Sequence, residues 1–153
     1  EISTRDWSSD VCSSDLMIPP LCETDHAVAT ILFERNFIIT EVPFFHKAWK
    51  NRTKDRSFGL WIGDDLIGFT IVHATKLEYI CIEPSYQGKG WGSILLQYLL
   101  SVCPVLYLNP ADDPALCTWY EKQGFQLSKE VKHSQWTERC YVHHTYYTRS
   151  KHV

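Results

Sequence analysis

The feature that most constrains this fold is a change of hydrophobic period across one glycine-rich turn. From Lys76 to Glu83 the chain alternates as a strand, with Leu77, Tyr79 and Cys81 expected on one side and Glu78, Ile80 and Ile82 on the other. Both sides are largely apolar, which predicts a central strand covered on two faces. Gln87-Gly88-Lys89-Gly90-Trp91-Gly92 follows, and the period then becomes helical: Trp91, Ile94, Leu95, Tyr98, Leu99 and Val102 fall on one stripe, stopped by Pro104.

The remaining elements follow by the same signals. A helix is predicted over 25–35, with Val28, Ile31, Leu32 and Arg35 on one face, and a short helix or structured loop over 42–52. Phe58, Leu60 and Ile62, the turn residues Gly63-Asp64-Asp65 and the run Leu66 to Ala74 read as a hairpin. Val105 to Leu108 is a short strand, and Asp113-Pro114 opens a helix over 115–123 that Gly124 closes. Strands over 125–129 and 141–148, joined by a polar loop carrying His133 and Trp136, complete an α/β (α+β) order of ααββ, βαβα, ββ.

Residues 1–16 stand apart. EISTRDWSSDVCSSDL has no hydrophobic period and neither the basic start nor the apolar run of a signal peptide. Its DWSSDVCSSDL portion resembles the translation of a common sequencing-library adapter, so the segment is expected to be non-native or disordered. Residues 17–153 are then a single domain. Either Met17, the one methionine, starts the native chain or the adapter replaces upstream coding sequence, and a missing first strand is an expectation of that reading. The net charge of −3 over 153 residues belongs to this segment, because removing Glu1, Asp6, Asp10 and Asp15 against Arg5 leaves 14 residues of each sign. A neutral remainder argues against a nucleic-acid partner. Six cysteines without a C-x-x-C pair read as reduced thiols of a cytoplasmic protein with no metal site, and no apolar stretch is long enough for a membrane span.

Three glycines at the mouth of a helix suit either a tight bend or an anion, since first-turn N–H groups lack intrahelical partners and glycine lets oxygens approach. Lys89 would add a positive charge. The spacing matches neither Gly-x-x-x-x-Gly-Lys-Ser/Thr nor Gly-x-Gly-x-x-Gly. It does combine with a second motif: strand LEYICIEPSY, then QGKGWGSILLQYLL, a strand, and ALCTWYEKQGF. This combination resembles the GCN5-related N-acetyltransferase (GNAT) family, whose Gln/Arg-x-x-Gly-x-Gly/Ala is matched by Gln87, Gly90 and Gly92. Its later Tyr-Glu-Lys-x-Gly-Phe is matched by Tyr120, Glu121, Lys122, Gly124 and Phe125. The resemblance covers 58–129 closely.

That resemblance implies a mixed, mostly antiparallel sheet flanked by helices with a splayed central strand pair, here 77–83 and 105–109. It implies acetyl-CoA as co-substrate, its pyrophosphate on the N–H groups of Gln87, Gly88, Lys89, Gly90, Trp91 and Gly92. The pantetheine would lie along the strand edge at Ile80, Cys81 and Ile82, with Asn109 as a polar contact or a turn former. A primary amine, on a small molecule or a peptide, would attack the acetyl carbonyl directly in a ternary complex, with a backbone N–H near Ile82 at the oxyanion and Tyr120 protonating the thiolate. The base is left between Glu78 and Glu83, because the register usual for a family glutamate falls near Lys76. Acceptor choice is expected in Phe37–Arg56 and around Trp136–Tyr141. From the residues themselves, Cys81 reads as a buried structural thiol and His143-His144 as diverging strand side chains. A CoA-binding regulatory module or pseudoenzyme is the alternative function.

Overall fold

The computed structural model describes residues 15–144. In chain order the elements are β1 (Leu16–Met17), α1 (His26–Glu34), α2 (Val42–Lys50), β2 (Gly59–Ile62), β3 (Asp65–His73), β4 (Lys76–Ile82), α3 (Trp91–Val102), β5 (Val105–Leu108), α4 (Pro114–Lys122), β6 (Gln126–Lys132) and β7 (Thr137–His144). The strands form one sheet in the order β1-β2-β3-β4-β5-β7-β6. β4 is the middle strand, and its contact with β5 is the parallel one among antiparallel pairs.

α1 and α2 cover one face, burying Ala29, Leu32, Phe33, Phe45 and Trp49 against Phe69, Ile71 and Cys81. α3 and α4 cover the other, where Leu96, Leu99, Leu100 and Tyr120 meet Val72, Leu77, Leu106 and Leu108. The stripe predicted for each helix is rotated from the one observed. Ile31 and Val102 are 51% and 45% exposed, whereas Phe33, Leu96 and Leu100 are buried. These helices are apolar over much of their circumference, so periodicity finds a helix without deciding which flank meets the sheet.

β4 departs from simple alternation. Val72 pairs with Leu77 and Ile71 with Tyr79, which leaves Glu78 as an extra residue. This bulge turns Leu77 to the α3/α4 face, while Tyr79 and Cys81 face α1 and α2. The expectation that Leu77 shares their side is therefore corrected.

Both ends of the sheet also differ from the sequence reading. Leu16 and Met17 pair with Ile62 and Trp61, and Leu21 N–H donates to Ser57 O at 2.9 Å. Gly59 N–H donates to Pro19 O at 2.9 Å, so the prolines sit on an edge where a missing N–H breaks no ladder. Leu16, the last residue of the segment set apart by sequence, opens β1. At the other edge, the polar loop expected between the last strands is mostly ladder, because Lys129–Lys132 pairs with Thr137–Cys140. Exposed charged residues hid this hairpin. Its cross-strand pair is Arg139 with Glu130 at 3.0 Å, and its turn closes through His133 N–H to Trp136 O at 2.8 Å. Positions 145–148 of the predicted last strand lie outside the described residues.

Gly68 on β3 is where the sheet tolerates least. A Cβ there would stand 2.7 Å from Ile82 Cδ1 and 2.9 Å from Cys81 O. Gly68→Ala is expected to destabilise the protein by about 1–3 kcal/mol through overpacking. Urea unfolding checks this, and an unchanged midpoint would contradict the packing described.

Candidate active site

The site begins where the sheet fails to pair. β4 and β5 are in register only at Lys76 and Tyr107, with Tyr107 N–H donating to Thr75 O at 2.9 Å, and beyond this point they diverge. A cavity of about 690 Å³ occupies the divergence. Asn36, Phe37 and Glu41 line it from the α1/α2 side, and Leu116, Trp119 and Tyr120 from the α3/α4 side, so it crosses the sheet.

Strand geometry decides which backbone groups face the gap. Glu83 N–H donates to Ile67 O on β3 at 2.7 Å, so alternation directs the amides of Ile82 and Ile80 to the opposite edge, into the gap. Cys81 behaves otherwise. Its carbonyl faces β3, close to Gly68, and its thiol faces α1, where Asn36 Nδ2 donates to Sγ at 3.2 Å. Burial pushes the Cys81 thiol up to about 12, which removes it as a nucleophile and leaves Ile80 and Ile82 as the strand's free edge.

The glycine turn divides its labour. Gly88 and Gly90 have φ of 76° and 91°, left-handed values that favour glycine, and a Cβ at either would meet nothing within 4 Å. The backbone there is open on its outer side. Gly90 caps α3 without any side-chain cap, so the first-turn amides of the helix are directed at the cavity mouth. Gly92 instead permits close packing, since its Cβ would stand 3.3 Å from the Trp119 ring.

Three other residues of the motif have structural work. Gln87 N–H donates to Pro84 O at 3.3 Å, and its Nε2 donates to Ile82 O at 2.9 Å and Asn36 Oδ1 at 2.7 Å. Its side chain thus fastens the end of β4 to the end of α1. Lys89 Nζ donates to Ser85 O at 3.2 Å and does not line the cavity, so the extra positive charge expected of it is turned back onto its own loop. The Trp91 ring is buried among Leu60, Ile67 and Leu95, which leaves only its backbone at the turn.

The two candidate bases separate cleanly. Glu83 is outside the cavity lining and accepts from Ser85 N–H and Oγ at 2.8 and 2.7 Å, with Arg35 as a further ion partner. Those donors, Ser85 first, hold its carboxyl below the usual range, and the Glu83 side chain caps the 3₁₀ turn over Pro84–Tyr86. Glu78, the bulge residue, does line the cavity, with Lys76 at 3.5 Å. Across the gap Tyr120 is 6% exposed, with its ring centroid 5.0 Å from Trp119 and 5.6 Å from Phe125. Burial pushes its phenol well above the ordinary tyrosine range and keeps it protonated. Asn109 lines the cavity while its Nδ2 donates to Arg139 O at 3.0 Å.

Asn36, Glu41 and Tyr79 are cavity residues that motif reasoning missed. Tyr79 is raised by burial first and then by the nearby Glu41 and Glu78 carboxylates. The one available signal was that Glu41 lies in the connection between the first two helices, a short 3₁₀ turn over Ile39–Glu41. Of the aromatics in Phe37–Arg56, Phe45 and Trp49 fill the core; in the other segment, Trp136–Tyr141, Trp136 stacks on His133 and does not line the cavity. Among the described residues no cluster of three or more His, Cys, Asp or Glu could hold a metal, and no helix is long and apolar enough to cross a membrane.

Residues 54–127 match the acetyltransferase (GNAT) domain model. A curated relative is the peptidyl-lysine N-acetyltransferase YjaB of Salmonella typhimurium, 26% identical over 74 residues that cover 45% of this chain and 51% of that protein. The chain thus spans about half the length of the curated relatives it matches. Among solved structures, the ribosomal-protein-S18-alanine N-acetyltransferase from Escherichia coli superposes with a TM-score of 0.64 at 22% identity, over 83% of this chain and 90% of that one. A streptothricin acetyltransferase from Bacillus anthracis, solved with acetyl coenzyme A, superposes with a TM-score of 0.51 at 19% identity, over 57% and 62% of the two chains. The domain match spans the gap, the glycine turn and Tyr120, and the described fold is similar in architecture to these solved acetyltransferases.

Proposed function

We propose that the chain is an N-acetyltransferase that moves an acetyl group from acetyl-CoA to a primary amine, on a small molecule or a peptide, in a reducing cytoplasmic setting. The observation that carries this reading is the cavity that crosses the sheet between β4 and β5. It has an open glycine turn at one mouth, a protonated tyrosine on one face and a carboxylate on the other. The solved relative with acetyl coenzyme A and the relatives that acetylate lysine or alanine amines support it.

In this reading the pyrophosphate rests on the outward amides of the turn from Gly88 to Gly92, where the α3 dipole favours negative charge. The pantetheine amides add to the free edge of β4 at Ile80 and Ile82 as an extra strand would. The acceptor enters from the α1/α2 side. Its unprotonated nitrogen attacks the acetyl carbonyl carbon, and the developing oxyanion lies near the Ile82 N–H, which the Gln87 contact with Ile82 O holds in place. As the carbon–sulfur bond breaks, the sulfur takes the Tyr120 proton and the nitrogen releases its own toward Glu78, directly or through water. Tyr120 is reprotonated by solvent after the thiol leaves.

Two measurements test this reading. Calorimetry should detect acetyl-CoA binding to the chain from Met17, and Gly90→Asp, which puts a side chain and a negative charge on a left-handed backbone, should weaken it by about tenfold or more. Undiminished binding in that variant would remove the assigned pyrophosphate site. Tyr120→Phe should lower kcat by about 10²-fold while acetyl-CoA affinity stays within a factor of two, since only proton donation is lost. Binding without acetylation of any amine would leave a CoA-binding regulatory module as the function.

A further inference from the structure

We propose that the acceptor is a small zwitterion: a primary amine on a molecule that also carries a carboxylate or similar anion. The amine would be held at the gap by Glu41 and Glu78, and the anion by Lys47 with His73 and Asn51 in a neighbouring cavity. This inference rests on the acetyltransferase reading and names the substrate class of that site.

The neighbouring cavity is about 490 Å³. One wall is a single face of α2 and its C-cap, where Phe44, Lys47, Ala48 and Asn51 recur at i, i+3, i+4 and i+7; the other is the end of the β3–β4 hairpin at His73. Glu41, Glu78 and Tyr79 line both this cavity and the one that crosses the sheet, so the two adjoin at those side chains.

The charges are ordered along this path. Both carboxylates stand at the junction, next to the acyl-transfer gap, whereas Lys47 and His73 line the outer cavity alone. An amine must sit at the junction to reach the thioester, and two carboxylates there favour its cationic form on arrival. Whatever the amine is attached to then lies beside Lys47 and His73. A second ammonium, as in a diamine, would face like charge. A neutral amide would gain nothing from the lysine, and an anion would be attracted.

These groups are also available. Among the described residues neither Glu41 nor Lys47 enters an ion pair, and Glu78 meets Lys76 only at 3.5 Å. Phe44, 61% exposed on the same wall, offers an apolar surface for the methylenes between the two charges.

The test compares kcat/KM at saturating acetyl-CoA for ω-amino acids of three to six carbons, their carboxamides, the corresponding diamines and a lysyl peptide amide. The amino acid of best length is expected to exceed its carboxamide and diamine by about tenfold or more. Lys47→Gln should erase most of that advantage by raising KM for the amino acid, and Lys47→Arg should retain it. Equal rates across the three series, a diamine or the lysyl peptide as the best acceptor, or a Lys47→Gln effect of equal size on every acceptor would overturn the assignment. Acetylation without charge preference would overturn the acceptor class alone. Acetyl-CoA binding with no amine turned over would overturn the transferase reading, and this inference with it.

Discussion

Everything in the site depends on two parallel strands that part after a single paired position. A buried backbone N–H or C=O without a partner is costly, so sheets ordinarily close such gaps. Here β4 and β5 pair at one position, and the end of β4 packs against α3 on the α3/α4 face. Trp91, Leu95 and Ile82 pack together on one side, and Gly92 lets Trp119 of α4 approach α3 closely. The amides of Ile80 and Ile82 are thereby left facing a cavity, which makes this edge a place where an extended polar chain can add.

The same parting turns the sheet from a wall into a passage. A continuous sheet would isolate the α1/α2 face from the α3/α4 face. Because β4 and β5 diverge, Tyr120 on one face and Glu41 and Glu78 on the other line one cavity. The cavity is therefore open to both faces of the sheet, with carboxylates on one face and, on the other, a phenol that burial keeps protonated. The hydrogen bonds from Gln87 to Asn36 Oδ1 and Ile82 O tie the segment after α1, the glycine turn and the end of β4 together.

Much of this was legible in the chain. The strand, glycine turn, helix, strand and capped helix from Lys76 to Gly124 are local patterns, and the structure has them within one or two residues. Tyr120 and Glu78, both singled out from the sequence, line the cavity. What stayed hidden involved partners distant in sequence. Which of Glu78 and Glu83 lines the cavity depends on where the diverging strands and helices leave open space, which neighbouring residues along the chain do not show. The extra residue at Glu78 appears only when β4 is laid against β3, and it reverses the side on which Leu77 is buried. The final hairpin was underestimated because its charged, exposed β6 lacks the apolar alternation that marks a half-buried strand.

The sequence by itself determined the order and type of the elements from β2 onward, the glycine turn and the pair of motifs that resemble the GNAT family. Each of these depends on backbone sterics or on residues a few positions apart. Only the tertiary structure decided which helix flank meets the sheet, which carboxylate reaches the cavity, and that Asn36, Glu41 and Tyr79 belong to it. It also decided that Glu41 and Glu78, from different elements, line one cavity with Lys47 of α2. Those outcomes depend on which groups from separate elements come within a few ångströms of one another, and periodicity along one chain contains no term for that distance.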